Sequence, residues 1–434
     1  MVQMIKFNLL HPADQIVMLM ERIYRYGMTT TSGGNLSVLD ENGDIWITPS
    51  GIDKGNLKRT DIMQIKPDGT VIGPHKPSVE LPFHAHVYKT RPDAKAVIHA
   101  HPPASVAFSI VRKIPNVHLV PNINKICGEV GMAEYDVPGS EGLGKKISIA
   151  FLKGYDTVMM ENHGVIVIGD NLFNAFMKFE TIDMCAKLEI RAKSIGCIKP
   201  LSQKHIDISL QKKGEDLQEF VPSGYSSFER AVRREMCELI HRSYDQQLFT
   251  STQGTFSVKL DDDSFVITPY GIDRKYIAVE DLVRIENGKY RESGKTPSRS
   301  VALHQQIYNL QPHVKSIIIS HPPNMMAFAV TDAVFDAHTI PESYIALRNV
   351  PKMPYGSSFL QPAMFAKIFD KKTPVVLVEN DCVIVTGATL LQAFDRLEVA
   401  EYSAKALIDT HVLGDMIKIN DEQTKQIEKS FNLD

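Results

Sequence analysis

Two histidines stand two apart in Val97-Ile98-His99-Ala100-His101, inside a run that reads as a strand. Side chains alternate between the faces of a strand, so this spacing turns both imidazoles to one side, where they can grip a single ion. Pro102-Pro103 ends the strand directly after the pair and leaves it at a sheet rim that a ligand can reach. A third imidazole, His163, follows another strand candidate at 157–160, and Gly164 allows a tight return into Val165-Ile166-Val167-Ile168. Three imidazoles with a carboxylate suit zinc, and manganese, cobalt or iron(II) accept a similar set. Read alone, a His-x-His pair is as readily two hydrogen-bonded core histidines as two ligands, so the combination carries the case.

The elements that must position these residues occur twice. Gly34-Asn35-Leu36-Ser37 recurs as Gly254-Thr255-Phe256-Ser257, and Ile47-Thr48-Pro49-Ser50-Gly51 as Ile267-Thr268-Pro269-Tyr270-Gly271. His84 and Tyr88 recur as His304 and Tyr308, and His101-Pro102-Pro103 as His321-Pro322-Pro323, all 220 positions apart. Glu161-Asn162 matches Glu379-Asn380 at an offset of 218. The period is far too long for a solenoid unit, so each copy is expected to be a domain, 1–212 and 213–434. The polar stretch 211–216 has the composition of a linker, and Ser226 or Ser227 offers a cap for the next helix.

Each copy has the same predicted order. An opening helix over 12–26 is followed by a Thr/Ser/Gly-rich turn over 29–34 and short strands at 36–38 and 45–47. A helix over 78–88, buried strands over 95–100 and 157–160, and an amphipathic helix over 171–187 complete it. The expectation is an α/β domain with a central, mostly antiparallel sheet flanked by helices.

Bulk properties exclude several classes. In 434 residues, 43% are apolar and 23% charged, with a net charge of -3, which gives no electrostatic case for nucleic acid or an anionic membrane surface. The five cysteines form no CxxC pair, and no apolar run approaches the ~18–20 residues of a membrane span. The first residues lack the pattern of a secretory leader, so a cytoplasmic location is expected.

The ordered motifs Gly34-Asn35-Leu36-Ser37, Thr48-Pro49-Ser50-Gly51, Lys76-Pro77-Ser78-Val79-Glu80, Arg91-Pro92-Asp93-Ala94, His99-Ala100-His101 and Asn162-His163-Gly164 resemble the class II aldolase/adducin family. The L-fuculose-phosphate aldolase branch is the nearest pattern. That resemblance implies αβα layers and a divalent metal, Zn2+ or else Mn2+, Co2+ or Fe2+, held by His99, His101 and His163. Glu80 is then a further ligand or the adjacent acid/base. Gly34, Asn35, Ser50, Gly51 and Ser78 would hold a substrate phosphate, although alone these Gly and Ser positions read as turn chemistry. The implied reaction makes or breaks a carbon–carbon bond of a small sugar phosphate or related hydroxy-carbonyl compound through a metal-stabilised enediolate. A pentulose-phosphate 4-epimerase, a sugar-phosphate dehydratase and a non-catalytic adducin-like scaffold are the alternatives. The resemblance also implies four-domain rings with active sites between neighbouring domains, hence a homodimer of this tandem chain.

Two departures bear on the substrate. Val79 stands where the motif usually has a second serine, and Leu119 stands where fuculose-phosphate aldolases carry a catalytic tyrosine. In the second copy Glu80 becomes Ser300, His99 becomes Ile319 and His163 becomes Asp381, leaving His321 as the one retained imidazole. Asn35 becomes Thr255 and Ser50 becomes Tyr270. The second copy is therefore expected to be metal-free and silent. His84, which recurs although that site is degraded, reads as structural, and His86 and His118 read as packing or surface residues.

Overall fold

A computed structural model describes residues 7–261 and 263–433; the first six residues of the N-terminal stretch read above lie outside them. The chain divides into two compact units, Met1–His118 with Asn122–Lys187, and Leu119–Pro121 with Leu188–Asp434.

In the first unit, helix α1 (Pro12–Arg25) starts with a proline at its first position, where no N–H is needed. Its Ile16, Leu19, Met20 and Ile23, at helical spacing, are wholly buried. The sheet has eight strands: β1 (Asn35–Leu39), β2 (Ile45–Ile47), β3 (Met63–Ile65), β4 (Val71–Ile72), β5 (Ala96–Ala100), β6 (Val130–Ala133), β7 (Thr157–Met160) and β8 (Gly164–Gly169). Their order is β4-β3-β2-β1-β5-β8-β7-β6, antiparallel throughout except for β6 beside β7. Strands β5, β7 and β8 are buried along their whole length, which matches their mainly apolar sequences, interrupted by Thr157 in β7 and by His99 in β5. Helices α2 (Leu81–Thr90), α3 (Pro103–Ile110), α4 (Pro121–Cys127), α5 (Glu141–Leu152) and α6 (Leu172–Ile195) follow in chain order. Phe83 and Val87 of α2 and Ile147 and Phe151 of α5 pack on Val97, Val158 and Ile166. The predicted α/β fold, two domains each with a mostly antiparallel sheet flanked by helices, is the one observed.

The second unit repeats the plan. Helices α7 (Gln203–Ser209), α8 (Ser227–Asp245) and α9 (Val301–Leu310) accompany strands β9 (Gln218–Phe220), β10 (Thr255–Lys259), β11 (Ser264–Ile267), β12 (Val283–Glu286), β13 (Tyr290–Glu292), β14 (Ser316–Ser320), β15 (Lys352–Met353), β16 (Val375–Val378) and β17 (Cys382–Gly387). The order β15-β16-β17-β14-β10-β11-β12-β13-β9 reproduces the first sheet and adds β9, parallel to β13. The register repeats too: Asn35 faces His99 across β1 and β5, and Thr255 faces Ile319 across β10 and β14. Ser226 caps α8 by accepting the Glu229 N–H, as its position suggested. One helix differs. The counterpart of α5 is split into Ser357–Leu360 and Pro362–Phe365, because Pro362 cannot continue a helix and holds Gln361 out of helical geometry.

Candidate metal centre

His99 is the last but one residue of β5, and His101 follows the strand's end. His163 sits in the turn between β7 and β8, where Asn162 adopts a left-handed φ of 53° and the His163 N–H returns to the Met160 carbonyl at 3.1 Å. Gly164 permits the tight return anticipated through its missing side chain and not through an unusual backbone angle: its φ is ordinary, but a Cβ there would lie 2.6 Å from the Ala100 carbonyl and 2.8 Å from His101 Cδ2. The glycine thus lets the turn press against β5. The result brings one ligating nitrogen of each of His99, His101 and His163 within 4.8 Å of one another. Among the described residues no other such group of three histidine, cysteine or carboxylate donors occurs.

The donor chemistry fits a divalent cation. His99 Nδ1 lies 3.0 Å from the Val165 carbonyl, which can only accept, so the ring's proton sits on Nδ1 and the Nε2 lone pair is free. That Nε2 is 3.0 Å from His101 Nε2. Two nitrogens bound ~2.0–2.1 Å from a tetrahedral ion sit roughly 3.4 Å apart, so the pair is close to ligand spacing. Burial, together with the neighbouring His101 and His163, holds the His99 imidazolium well below its usual range. Burial lowers His101 as well and brings His163 to about 4, so all three rings are neutral near pH 7, the form a cation needs.

Glu80 stands at the N-cap position of α2, and its side chain makes no capping bond. Its carboxylate turns instead to the histidines, with Oε2 3.3 Å from His99 Nε2 and Oε1 3.5 Å from His163 Nε2. Oε1 is buried without a hydrogen-bond partner, whereas Oε2 accepts from Asn35 Nδ2 at 2.6 Å. Burial pushes the Glu80 carboxyl upward, opposed by that Asn35 bond. Asn35 Oδ1 in turn meets His84 Nε2 at 2.5 Å, and His84 Nδ1 meets Ser37 Oγ at 2.6 Å. Ser37 Oγ is also 2.7 Å from the Tyr88 hydroxyl. His84 is fully buried, which lowers it to about 3.

Of the remaining expected residues, Ser50, Gly51 and Ser78 fall into two loops tied to each other, and Gly34 precedes β1. The Ser50 N–H donates to the Lys76 carbonyl and the Ser78 N–H to the Thr48 carbonyl, while Pro49 and Pro77 form an isolated bridge. Ser78 Oγ accepts the Glu80 N–H at 3.3 Å, joining this cradle to the carboxylate. Gly34 has a φ of 72°, and a Cβ there would come 2.9 Å from the His99 carbonyl, so glycine alone fits. Asn35, read from the sequence as a phosphate donor, uses both ends of its amide inside the protein. Leu119 is wholly buried. His84, read from the sequence as structural because it recurs, sits in a buried polar network; Ser37, His84 and Tyr88 recur as Ser257, His304 and Tyr308 with the same bonds in the second copy.

In the second unit the corresponding residues hold something else. Asp381 is buried, and the Lys212 ammonium lies 3.0 and 3.2 Å from its two oxygens. Lys212 comes from the polar stretch read as a linker, which is therefore packed against this unit rather than free. The space beside it, lined by Arg299, Ser300, Ile319 and Asp381, is a cavity of about 60 Å³, well under the ~300 Å³ at which small-molecule sites begin. Tyr270 is part exposed, with the Arg299 guanidinium 5.3 Å over its ring.

Comparison with known proteins gives a consistent picture. The model of the class II aldolase and adducin N-terminal domain matches residues 14–190 and again 234–408. The chain is 33% identical over 208 residues to the 5-deoxy-D-ribulose 1-phosphate aldolase of Bacillus thuringiensis serovar kurstaki, covering 46% of this chain and 94% of that one. It is 32% identical over 176 residues to the L-fuculose phosphate aldolase of Methanocaldococcus jannaschii, covering 41% and 94%. It is also 32% identical over 179 residues to the 3-oxo-tetronate 4-phosphate decarboxylase of Haemophilus influenzae, covering 40% and 85%.

Proposed function

The chain belongs to the class II aldolase and adducin family through both of its halves and is a class II aldolase-like enzyme, and from that premise we propose that its first copy is a metal-dependent lyase of small sugar phosphates. The observation that carries this is the convergence of His99, His101 and His163 beside a buried carboxylate with one unpartnered oxygen. His99, His101 and His163 would hold the ion, zinc being the first expectation for such a set. When bound, a divalent cation supplies a Lewis acid that stabilises the enediolate formed as a carbon–carbon bond breaks.

The protein's own groups do the rest. Glu80 moves the proton at the carbon beside the carbonyl through Oε1, while Asn35 holds Oε2 and so fixes the plane of the carboxylate. Gly34, Ser50, Gly51 and Ser78 receive the phosphate, through backbone N–H groups at the glycines and hydroxyls at the serines. Val79 in place of a hydroxyl removes one donor, which favours a substrate different from fuculose phosphate. Residues 1–212 carry this chemistry, and 213–434 form a non-catalytic copy in which Asp381 stands where the first copy has His163 and is held by Lys212, the last residue before that copy.

A second reading is decarboxylation of a phosphorylated 3-oxo acid, supported by a decarboxylase relative as similar as the aldolases. Both reactions generate an enolate next to a carbonyl; they differ in whether an aldehyde or carbon dioxide departs. The test is a screen of ketose 1-phosphates and 3-oxo-acid phosphates with protein loaded with Zn2+ or Mn2+, assaying both leaving products. Aldehyde release that falls roughly 10²–10⁴-fold in Glu80→Gln is the expected outcome. Carbon dioxide release would select the second reading, and unchanged turnover in the variant would remove Glu80 from the mechanism.

A further inference from the structure

The polar residues behind Glu80 form a chain with one direction. An ionised carboxylate only accepts hydrogen bonds, so Asn35 must present Nδ2 to Glu80 and Oδ1 to His84. Asn35 Oδ1 also only accepts, so the proton of His84 must sit on Nε2. His84 Nδ1 is then an acceptor, and the Ser37 hydroxyl must donate to it. With its own hydrogen committed, Ser37 Oγ accepts from the Tyr88 hydroxyl. Every member is buried, so no water competes for these bonds.

The second copy provides an internal comparison. Ser257 Oγ lies 2.6 Å from His304 Nδ1 and 2.6 Å from the Tyr308 hydroxyl, the same arrangement. There the chain stops: Thr255 replaces Asn35 and bonds Ser298 instead, and His304 Nε2 is buried without a partner. The Tyr-Ser-His segment is thus common to both copies, and its extension through asparagine to a carboxylate belongs to the first alone.

We infer that His84 is a positioning residue for the reaction, acting through Asn35 to lock the Glu80 carboxylate with Oε2 occupied and Oε1 free to take a proton. The inference rests on the reading of Glu80 as the proton-transfer group. A carboxylate beside three imidazoles could rotate to offer either oxygen; a donor fixed at Oε2 removes that freedom, and a fixed His84 ring keeps the donor amide from flipping.

Two measurements test this on the full chain. The first is ¹⁵N NMR of histidine-labelled protein, in which His84 is expected as the Nε2–H tautomer with a slowly exchanging proton; an Nδ1–H tautomer would overturn the inference. The second is solvent deuterium incorporation into dihydroxyacetone phosphate, which reports proton transfer without carbon–carbon cleavage. His84→Leu is expected to slow exchange about 10–100-fold with KM and metal content unchanged. His84→Gln, which can still donate to Asn35, should recover most of that loss. His304→Leu removes the matching residue of the other copy and should leave exchange at the wild-type rate. Wild-type exchange in His84→Leu, with Glu80→Gln inactive, would overturn the positioning role while leaving Glu80 in place. If the wild-type protein itself shows no exchange, the reading of Glu80 fails, and the tautomer alone decides whether the chain runs as inferred.

Discussion

Single side chains set both the chemistry and its pH limits. The Val165 carbonyl fixes the His99 tautomer, so the Nε2 lone pair of that ring, one of the three proposed ligands, faces the other two histidines without any ion. Replacing His99 and His101 together with alanine is expected to take the metal content from about one ion per chain to none, read by atomic emission after gel filtration. A different residue contributes to acid stability. Glu292 is buried, and although burial alone would raise its carboxyl, bonds from Lys295, Tyr225 and Arg233 bring it down to about 2. A carboxyl lower in the folded than in the unfolded chain stabilises fully above its ordinary value near 4.5 and loses that contribution as pH falls towards 2. Glu292→Gln should therefore flatten the acid limb of unfolding between those values. At neutral pH it should cost about 3 kcal/mol, because Arg233 stays buried with one of its two carboxylates gone. Circular dichroism during urea unfolding at a series of pH values reads both effects.

At the scale of elements, close approach of two segments decides where the ligands stand. The turn carrying His163 lies against β5 because Gly164 has no Cβ, and the second copy has Cys382 at the matching place. Gly164→Ala should push the turn away from Ala100 and His101 and weaken metal binding by about 10–100-fold in a chelator competition, with the fold retained. Unchanged affinity would mean the turn can yield without moving a ligand. Lys212→Met tests a matching contact in the other unit: it leaves Asp381 buried without its ammonium, at a cost of about 1–3 kcal/mol, and Asp381→Leu added to it should restore much of the loss. These two sites also show what could be read from the chain. The 220-residue offset, the opening helix, the buried strands and the three histidines were legible, because periodicity and local spacing encode them. Asn35 paired with Glu80, Lys212 with Asp381, and β9 beside β13 were not. Each joins residues far apart in sequence, and the composition around Lys212 matches a solvated linker whether or not it packs.

For the molecule as a whole, the two copies differ in what they bury and what they leave open. Around the first copy's site, Val79, Ile110, Val111, Tyr135 and Val137 are each more than half exposed. Four of them are tied to segments that carry the centre: Val79 precedes Glu80, Ile110 and Val111 close the helix that begins after His101, and the Tyr135 N–H donates to Glu161 two residues before His163. Large apolar side chains exposed beside a site are a candidate surface for another protein to cover. A second copy of this chain is the occupant consistent with the ring assembly that the family resemblance implies. Multi-angle light scattering should then give twice the 48.6 kDa of one chain, with two metal ions per particle. Val111→Asp, which places a charge in that rim without touching a ligand, should shift the equilibrium towards the monomer on dilution. A strict monomer at every concentration, with full activity, would show that the first copy needs no neighbour and that its apolar rim serves the substrate instead.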